Sequence, residues 1–439
     1  MAEKMKPSGI DWIGDVPNEW DITKVKYRTS QIGSGTTPDS GNPLYYEDGC
    51  FPWIQSGDLY NADYIRDTEK KITELAVADF NALTWYEKEF VVVAMYGASV
   101  GNIAISQISS YTNQACCVLK AKDDDLRYLF YFLSAGKENM LQMAFGGTQP
   151  NISQAIIKNL PFLDVSHNEQ QAIADFLDKE CAQIDSIAAD LEKQIALLQQ
   201  YKKSLITETV TKGLDKSAPM KDSGNSIIGS VNCCYTTKKL KYIVETPITD
   251  GPHETPALVD DGIPFLSAES VKNGILDFEY KRGYISESDH KFFCKKIKPQ
   301  KNDVFIVKSG ATTGNVGIVT VDQEFSIWSP LALIRCDDKT VLQKFIYYCV
   351  GSNYFKHEIE QAWSYGTQQN IGMGVIENLT VVIPPIDEQK KIVHYLDDVL
   401  ASMDEMIIDK TKQLEIIQQH KKSFIYEYVT GKKRVKEVR

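Results

Sequence analysis

At two places in this 439-residue chain, glycines and small polar residues gather directly after an apolar run. Tyr96-Gly97-Ala98-Ser99-Val100-Gly101-Asn102 follows Phe90–Met95, and Ser309-Gly310-Ala311-Thr312-Thr313-Gly314-Asn315 follows Val304–Val307. Ser34-Gly35-Thr36-Thr37-Pro38 is a third such loop, and Gly147-Thr148-Gln149 and Gly366-Thr367-Gln368 form a further pair. Hydroxyls, side-chain amides and loop amides contact phosphates and base edges. Taken singly, each loop is equally well a tight turn between strands. Loops spaced alike around a sheet make a binding rim. The candidate contacts are Ser34, Thr36, Thr37, Tyr96, Ser99, Thr148 and Gln149 in the first half, and Ser309, Thr312, Thr313, Thr367 and Gln368 in the second. Lys291, Lys295 and Lys308 join them from a segment that also holds Lys281-Arg282, Lys296, Lys298 and Lys301, interleaved with Tyr280, Tyr284, Phe292 and Phe293. That mixture suits phosphate contacts beside apolar base contacts, and also suits a solvated charged face.

Catalytic chemistry finds no support. There is no GxxxxGK[ST] phosphate loop and no HExxH. The six histidines, His167, His253, His290, His357, His394 and His420, do not recur beside a nucleophile and carboxylate. An adenine methyltransferase needs a glycine-rich cofactor loop and an Asn/Asp-Pro-Pro-aromatic element. Asn159-Leu160-Pro161-Phe162 comes nearest, but its counterpart is Asn378-Leu379-Thr380-Val381. Asp123-Asp124-Asp125 and Asp260-Asp261 read as loop and cap residues, and no metal site is expected. The nine cysteines include the adjacent pairs Cys116-Cys117 and Cys233-Cys234 without a CxxC, as for free thiols in a reducing cytoplasm. No apolar run approaches the ~20 residues that span a bilayer, and Met1–Met5 lacks a signal peptide's apolar stretch, so no membrane partner is expected. A net charge of −11 argues against general polyanion binding but allows local basic surfaces.

These loops belong to a long internal repeat. Met5-Lys6-Pro7-Ser8-Gly9 returns as Met220-Lys221-Asp222-Ser223-Gly224, Lys24-Val25-Lys26-Tyr27 as Lys239-Leu240-Lys241-Tyr242, and Lys202-Lys203-Ser204-Leu205-Ile206 as Lys421-Lys422-Ser423-Phe424-Ile425. A unit this long is a duplicated domain. The fold class expected is α/β (α+β): two mixed globules with mostly antiparallel sheets, separated by two long helices. The divisions are 1–165, helix 166–214, 215–384, helix 385–432 and a basic tail 433–439. Amphipathic helices are predicted from Asp125 to Leu141 and from Lys339 to Ile359.

Asn168-Glu169-Gln170 and Asp387-Glu388-Gln389 predict an N-cap followed by an acidic first turn. Leu177, Ile184, Leu191, Leu198 and Leu205 recur every seven residues, with Cys181, Ala188 and Ile195 between them. The second helix offers Leu396, Met403, Ile417, Phe424 and one Lys410 in that series, with Leu400, Ile407 and Leu414 between. Small residues in one helix face larger ones in the other, which predicts an antiparallel coiled-coil pair with pseudo-twofold symmetry. Packing of each helix on its own globule alone is the alternative.

Several of these segments resemble a known family. Ser8–Trp20 is similar to the opening of specificity subunits of type I restriction–modification systems. Asn151–Pro161 with Glu169–Asp178, and again Ile383–Gln389, resemble the end of their target-recognition domain and the start of the following helix. One departure is Ser226-Ile227-Ile228-Gly229 with Asn232 and Tyr235, which lacks the Trp, Pro and Trp of the first copy. The resemblance implies a non-catalytic, cytoplasmic subunit. Each globule would read one half of a split, asymmetric double-stranded DNA target, and the helices would set the unread spacer. Two methylation subunits would dock on the helices and supply S-adenosylmethionine and adenine methylation. Restriction subunits would add translocation and cleavage driven by ATP and magnesium. The competing reading is a coiled-coil scaffold whose globules bind protein partners.

Overall fold

Phe90–Ala94 and Val304–Val307 bury every residue, as expected of apolar runs with neighbours on both faces. Each is the middle of a sheet in a computed structural model that describes residues 4–144, 150–362 and 370–435. The chain divides into two compact units, Met1–Leu191 with Lys412–Arg439, and Glu192–Thr411.

In the first unit, β1 (Thr29–Gly33), β2 (Tyr64–Ile65), β3 (Phe90–Ala94), β4 (Ile103–Ser106) and β5 (Cys116–Ala121) lie in the order β1-β5-β3-β4-β2. Only β2 and β4 run parallel. In the second, β6 (Thr249–Asp250), β7 (Val271–Lys272), β8 (Ile275–Leu276), β9 (Val304–Val307), β10 (Val316–Ile318) and β11 (Leu331–Ile334) lie in the order β6-β11-β9-β10-β8-β7. Here only β8 and β10 are parallel. A three-stranded sheet flanks each: Phe51–Ile54, Lys71–Ile72 and Tyr111–Thr112 in one, Ile263–Leu266, Gly283–Ile285 and Ser326–Ile327 in the other.

The predicted amphipathic helices are each broken in two. Leu126–Ala135 and Lys137–Gln142 meet at Gly136, and Gln343–Val350 and Asn353–Ala362 meet at Gly351. Both glycines cap the first piece, their amides donating to the Phe132 and Tyr347 carbonyls at 3.1 and 3.0 Å. A Cβ at Gly136 would also stand 3.2 Å from the Trp12 ring.

The long helices are His167–Lys212 and Ile386–Val429, about 69 and 66 Å at ~1.5 Å per residue. Asn168 and Asp387 lie inside the first turn rather than capping it, because the helical backbone begins ahead of both. The glutamines that follow do unexpected work. Gln170 is 0% exposed, accepts from the Asp125 amide at 2.9 Å, and donates to the Val165 carbonyl and to Asp124. Gln389, also 0% exposed, accepts from the Leu342 amide at 2.9 Å and donates to the Thr340 and Pro384 carbonyls. Each glutamine thus fastens a long helix to the helix of its own globule. The acidic neighbours hold the opening segment: Trp20 Nε1 donates to Glu169 at 3.1 Å, and Tyr235 Oη to Glu388 at 3.5 Å. Tyr235 takes the place of the missing Trp. The hairpin Met220–Asp222 with Ser230–Asn232 repeats Met5–Pro7 with Asp15–Pro17.

The helices pair antiparallel within each unit. In the first, the Phe176 ring lies 4.7 Å from Tyr428, and Asp185 meets Lys421 at 2.8 Å. In the second, Gln194 accepts from Lys410 at 2.6 Å, and Lys202 pairs with Asp404. Leu177, Leu191, Leu205, Leu396, Leu400 and Met403 are buried, and Ile184, Leu198, Ile407, Leu414 and Ile417 are half-buried. Helix pairing and globule packing coexist. Leu177 shares the first unit's core with Ile425 and Val429, while Leu205 shares the second unit's core with Leu396, Leu400 and Met403. The tail is engaged as well, since Arg434 pairs with Glu19 and Glu169 at 2.7 and 2.6 Å. Among the described residues, no helix is long and apolar enough to cross a membrane, and no cluster of His, Cys, Asp and Glu could hold a metal ion.

Candidate nucleic-acid interface

The glycine loops share one backbone frame. Gly97 and Gly101 have φ of +90° and +76°, and Gly310 and Gly314 of +101° and +87°, a region that side-chain-bearing residues rarely adopt. Gly101 N–H closes onto the Ala94 carbonyl at 2.8 Å, and Gly314 N–H onto Val307 at 2.7 Å. The segment closing each globule is tied to the same place, Ile152 N–H donating to the Met95 carbonyl and Ile371 N–H to Lys308, both at 2.7 Å. Thr148, Gln149, Thr367 and Gln368 lie outside the described residues.

The Ser34–Pro38 loop has a counterpart that its sequence conceals. A Cβ on Gly35 would fall 1.7 Å from the Thr112 carbonyl oxygen, and one on Gly251 would fall 2.3 Å from that of Ile327. Both glycines exist to let two backbones touch. Asp250-Gly251-Pro252-His253 is therefore the second globule's version of the loop. A Gly-Pro pair just past a short strand was the available signal.

In the first globule the loops meet through neutral groups. Thr37 Oγ1 donates to Gln114 Oε1, Trp53 Nε1 to the Thr36 carbonyl at 3.3 Å, and Tyr86 Oη to the Ser34 carbonyl at 3.4 Å. Ser34, Thr36, Thr37 and Tyr96 are half-buried at this tip, and burial raises the Tyr96 phenol above its ordinary pKa. Gln114 was missed. It sits in the polar turn Asn113-Gln114-Ala115 between two strands, and its counterpart in the repeat is no longer an amide.

In the second globule the same place is charged. Asp250 accepts from Lys296 at 2.7 Å and Lys308 at 2.8 Å, with His253 Nε2 at 3.2 Å. The Asp250 side chain is 8% exposed and that of Lys308 is 12% exposed. Burial would raise the Asp250 carboxyl, but hydrogen bonds and charge from Lys296 and Lys308 prevail and hold it below the ordinary range. Arg282 lies over the Trp328 ring at 4.0 Å and reaches Glu269 at 3.5 Å. Neither Asp250 nor Trp328 was expected here.

Three of the candidate contacts have partners within the tip. Ser99 Oγ donates to the Ser56 carbonyl at 2.6 Å, Thr313 Oγ1 to Gly310 at 2.6 Å, and Lys308 is spent on Asp250. These contacts tie the tip loops together, and of the three acceptors Asp250 is buried. Acidic neighbours also trim the basic patch: Lys298 pairs with Glu324 and Lys291 with Glu287, both at 3.3 Å. Lys291 remains 76% exposed, and exposed Lys295 sits 5.5 Å from the centre of the Phe292 ring, itself 60% exposed. Ser309 and Thr312 are half-buried on the loop.

A family model described as "Type I restriction modification DNA specificity domain" matches residues 26–197 and 246–416. The chain is 24% identical over 438 residues to the type I restriction enzyme MjaIX specificity subunit of Methanocaldococcus jannaschii, covering 97% of this chain and 96% of that one. It is 23% identical over 411 residues to the EcoKI specificity subunit of Escherichia coli, covering 89% and 84%. A solved chain from work titled as the structural basis of complex assembly and conformational transition of the type I R-M system superposes with a TM-score of 0.70 at 14% identity, covering 94% of this chain and 98% of that one. With both matched regions running from a globule into the helix that follows it, the chain belongs to the type I restriction–modification DNA specificity family, and it carries two such domains.

Proposed function

We propose that the chain is the DNA-reading, non-catalytic subunit of a type I restriction–modification complex, each globule reading one half of a split, asymmetric target. The observation that carries this reading is one loop frame armed two ways: hydroxyls and an amide in the first globule, an ion-pair cluster and aromatic-backed cations in the second. A common frame suits a common duplex, and different side chains suit different base edges. Thr37, Tyr96 and Gln114 are assigned to the first half-site, and Lys291, Lys295, Ser309 and Thr312 to the second. Ser34 and Thr36, with Thr148, Gln149, Thr367 and Gln368, complete the assignment.

The recognition domains are taken as 1–165 and 215–384. The helices of 166–214 and 385–432 act as the spacer ruler, and two methylation subunits dock on the assembly. S-adenosylmethionine belongs to those subunits, and ATP and magnesium to restriction subunits. Methylome sequencing of a host expressing the chain tests the reading. Replacing the first globule's loops changes one half-site only, and inserting four residues near Gln200 changes the spacer while both half-sites persist. Altered half-sites with an unchanged spacer would defeat the ruler.

A further inference from the structure

The repeat preserves one exposed feature that base reading does not use. Lys24-Val25-Lys26-Tyr27 and Lys239-Leu240-Lys241-Tyr242 each enter a short helical turn, α-helical in the first copy and 3-10 in the second. Val25 and Leu240 are 0% exposed anchors, while Tyr27 and Tyr242 stand out at 65% and 70%. Lys26 Nζ lies 5.1 Å from the centre of the Tyr27 ring, and Lys241 Nζ lies 5.2 Å from that of Tyr242. The lysines are steadied identically, Lys26 donating to Asn159 Oδ1 at 3.1 Å and Lys241 to Asn378 Oδ1 at 2.8 Å. The asparagines are held in turn by their own helices, donating to the Ala155 and Gly374 carbonyls at 2.9 and 2.7 Å. An outward tyrosine with an oriented ammonium thus recurs in two globules whose reading tips have diverged.

Strand registers place this pair away from those tips. β1 runs from Thr29, opposite Ala121, to Gly33, opposite Val118, and the Ser34–Pro38 loop follows Gly33. Tyr27 precedes the other end, roughly 14 Å back along the strand at ~3.4 Å per residue. In the second globule Val244, two residues after Tyr242, bridges Cys336, whereas the loop end of β11 is Leu331 opposite Val307. Two differing half-sites call for differing surfaces. A surface kept the same in both copies calls for one partner supplied twice.

We infer that Tyr27 with Lys26, and Tyr242 with Lys241, each dock one copy of the methylation subunit through an apolar recess rimmed by carboxylates. This rests on the reading above. A tyrosine presents a large, stiff ring at small entropic cost, and the adjacent ammonium selects an acidic rim.

The test uses the full chain with its methylation subunits, native mass spectrometry for stoichiometry and titration for Kd. Tyr27→Ala and Tyr242→Ala each weaken the binding of one methylation subunit at least tenfold, the double variant weakens both, and the thermal melt of the chain is unchanged. Should the alanine variants melt early, Lys26→Glu and Lys241→Glu give the same stepwise loss on a surface that plays no part in the core. A double variant that still captures two subunits with unchanged Kd overturns the docking site. So does normal assembly with weakened, less salt-dependent DNA binding, which would make the pair a phosphate contact. If the unsubstituted chain captures no methylation subunit, the parent reading has failed, an outcome separate from the variants' behaviour.

Discussion

The two loop tips proposed to read DNA solve one positioning problem with opposite chemistry. In the first globule, Thr37, Gln114 and the Ser34 and Thr36 carbonyls hold the loops through neutral hydrogen bonds, most of them half-exposed. In the second, a carboxylate at 8% exposure holds Lys296 and Lys308. Beneath both lie the same glycine conformations and the same glutamine fastening at the base of each long helix. The frame carries stability and the tips carry difference. A neutral tip can be re-armed by exchanging one side chain, whereas the Asp250–Lys308 pair has to be exchanged together, since either left alone is a largely desolvated charge.

The largest test strikes the shared frame. Gln170→Leu and Gln389→Leu each remove three hydrogen bonds of a buried side chain and strand a backbone amide, at a cost of about 3 kcal/mol or more in chemical denaturation. The two losses should agree within about 1 kcal/mol, given the ordinary scatter of such values. A wider gap would break the claim of a common frame.

Next comes the contrast between tips. Asp250→Asn leaves Lys308 largely desolvated without its counter-charge and costs about 2 kcal/mol, below the ~3–5 of a fully buried pair because Lys296 is half-exposed. Gln114→Ala in the first tip costs about 0.5–1 kcal/mol. The Asp250 contribution depends on pH in a definite direction. A carboxyl held below its unfolded value stabilises above about pH 4 and loses that contribution as pH falls through the folded value. The stability gap between the parent chain and Asp250→Asn therefore narrows as pH falls below the ordinary carboxylate range of about 4. A gap that widened on acidification would show that Asp250 is not held as an anion by its lysines.

The smallest effect concerns charge at the second tip. Lys291→Gln and Lys295→Gln each lower the salt slope of DNA binding by about one and weaken all sequences alike. Loss confined to one base position would turn these lysines from phosphate contacts into base readers.

What could be read from residue order is local or periodic. Leu177 and Leu205 announce a helix seam by spacing, and Gly97 and Gly314 announce turns by type. Gln170 was visible but its task was not, because its partners Asp124 and Asp125 lie 46 and 45 residues away. The pairing of Lys308 was hidden for the same reason: Asp250 is remote along the chain and belongs to an element that reads as an unremarkable strand end.

The sequence by itself determined the duplication, the helical period and the glycine-only turns, since each depends on backbone allowance or side-chain spacing over a few residues. The tertiary structure alone decided which lysines are spent internally and which residue replaces a lost tryptophan. It also decided that the far end of each long helix enters the core of the unit it reaches. Those outcomes depend on which groups meet across tens to hundreds of residues, where burial sets the strength of every charge and hydrogen bond.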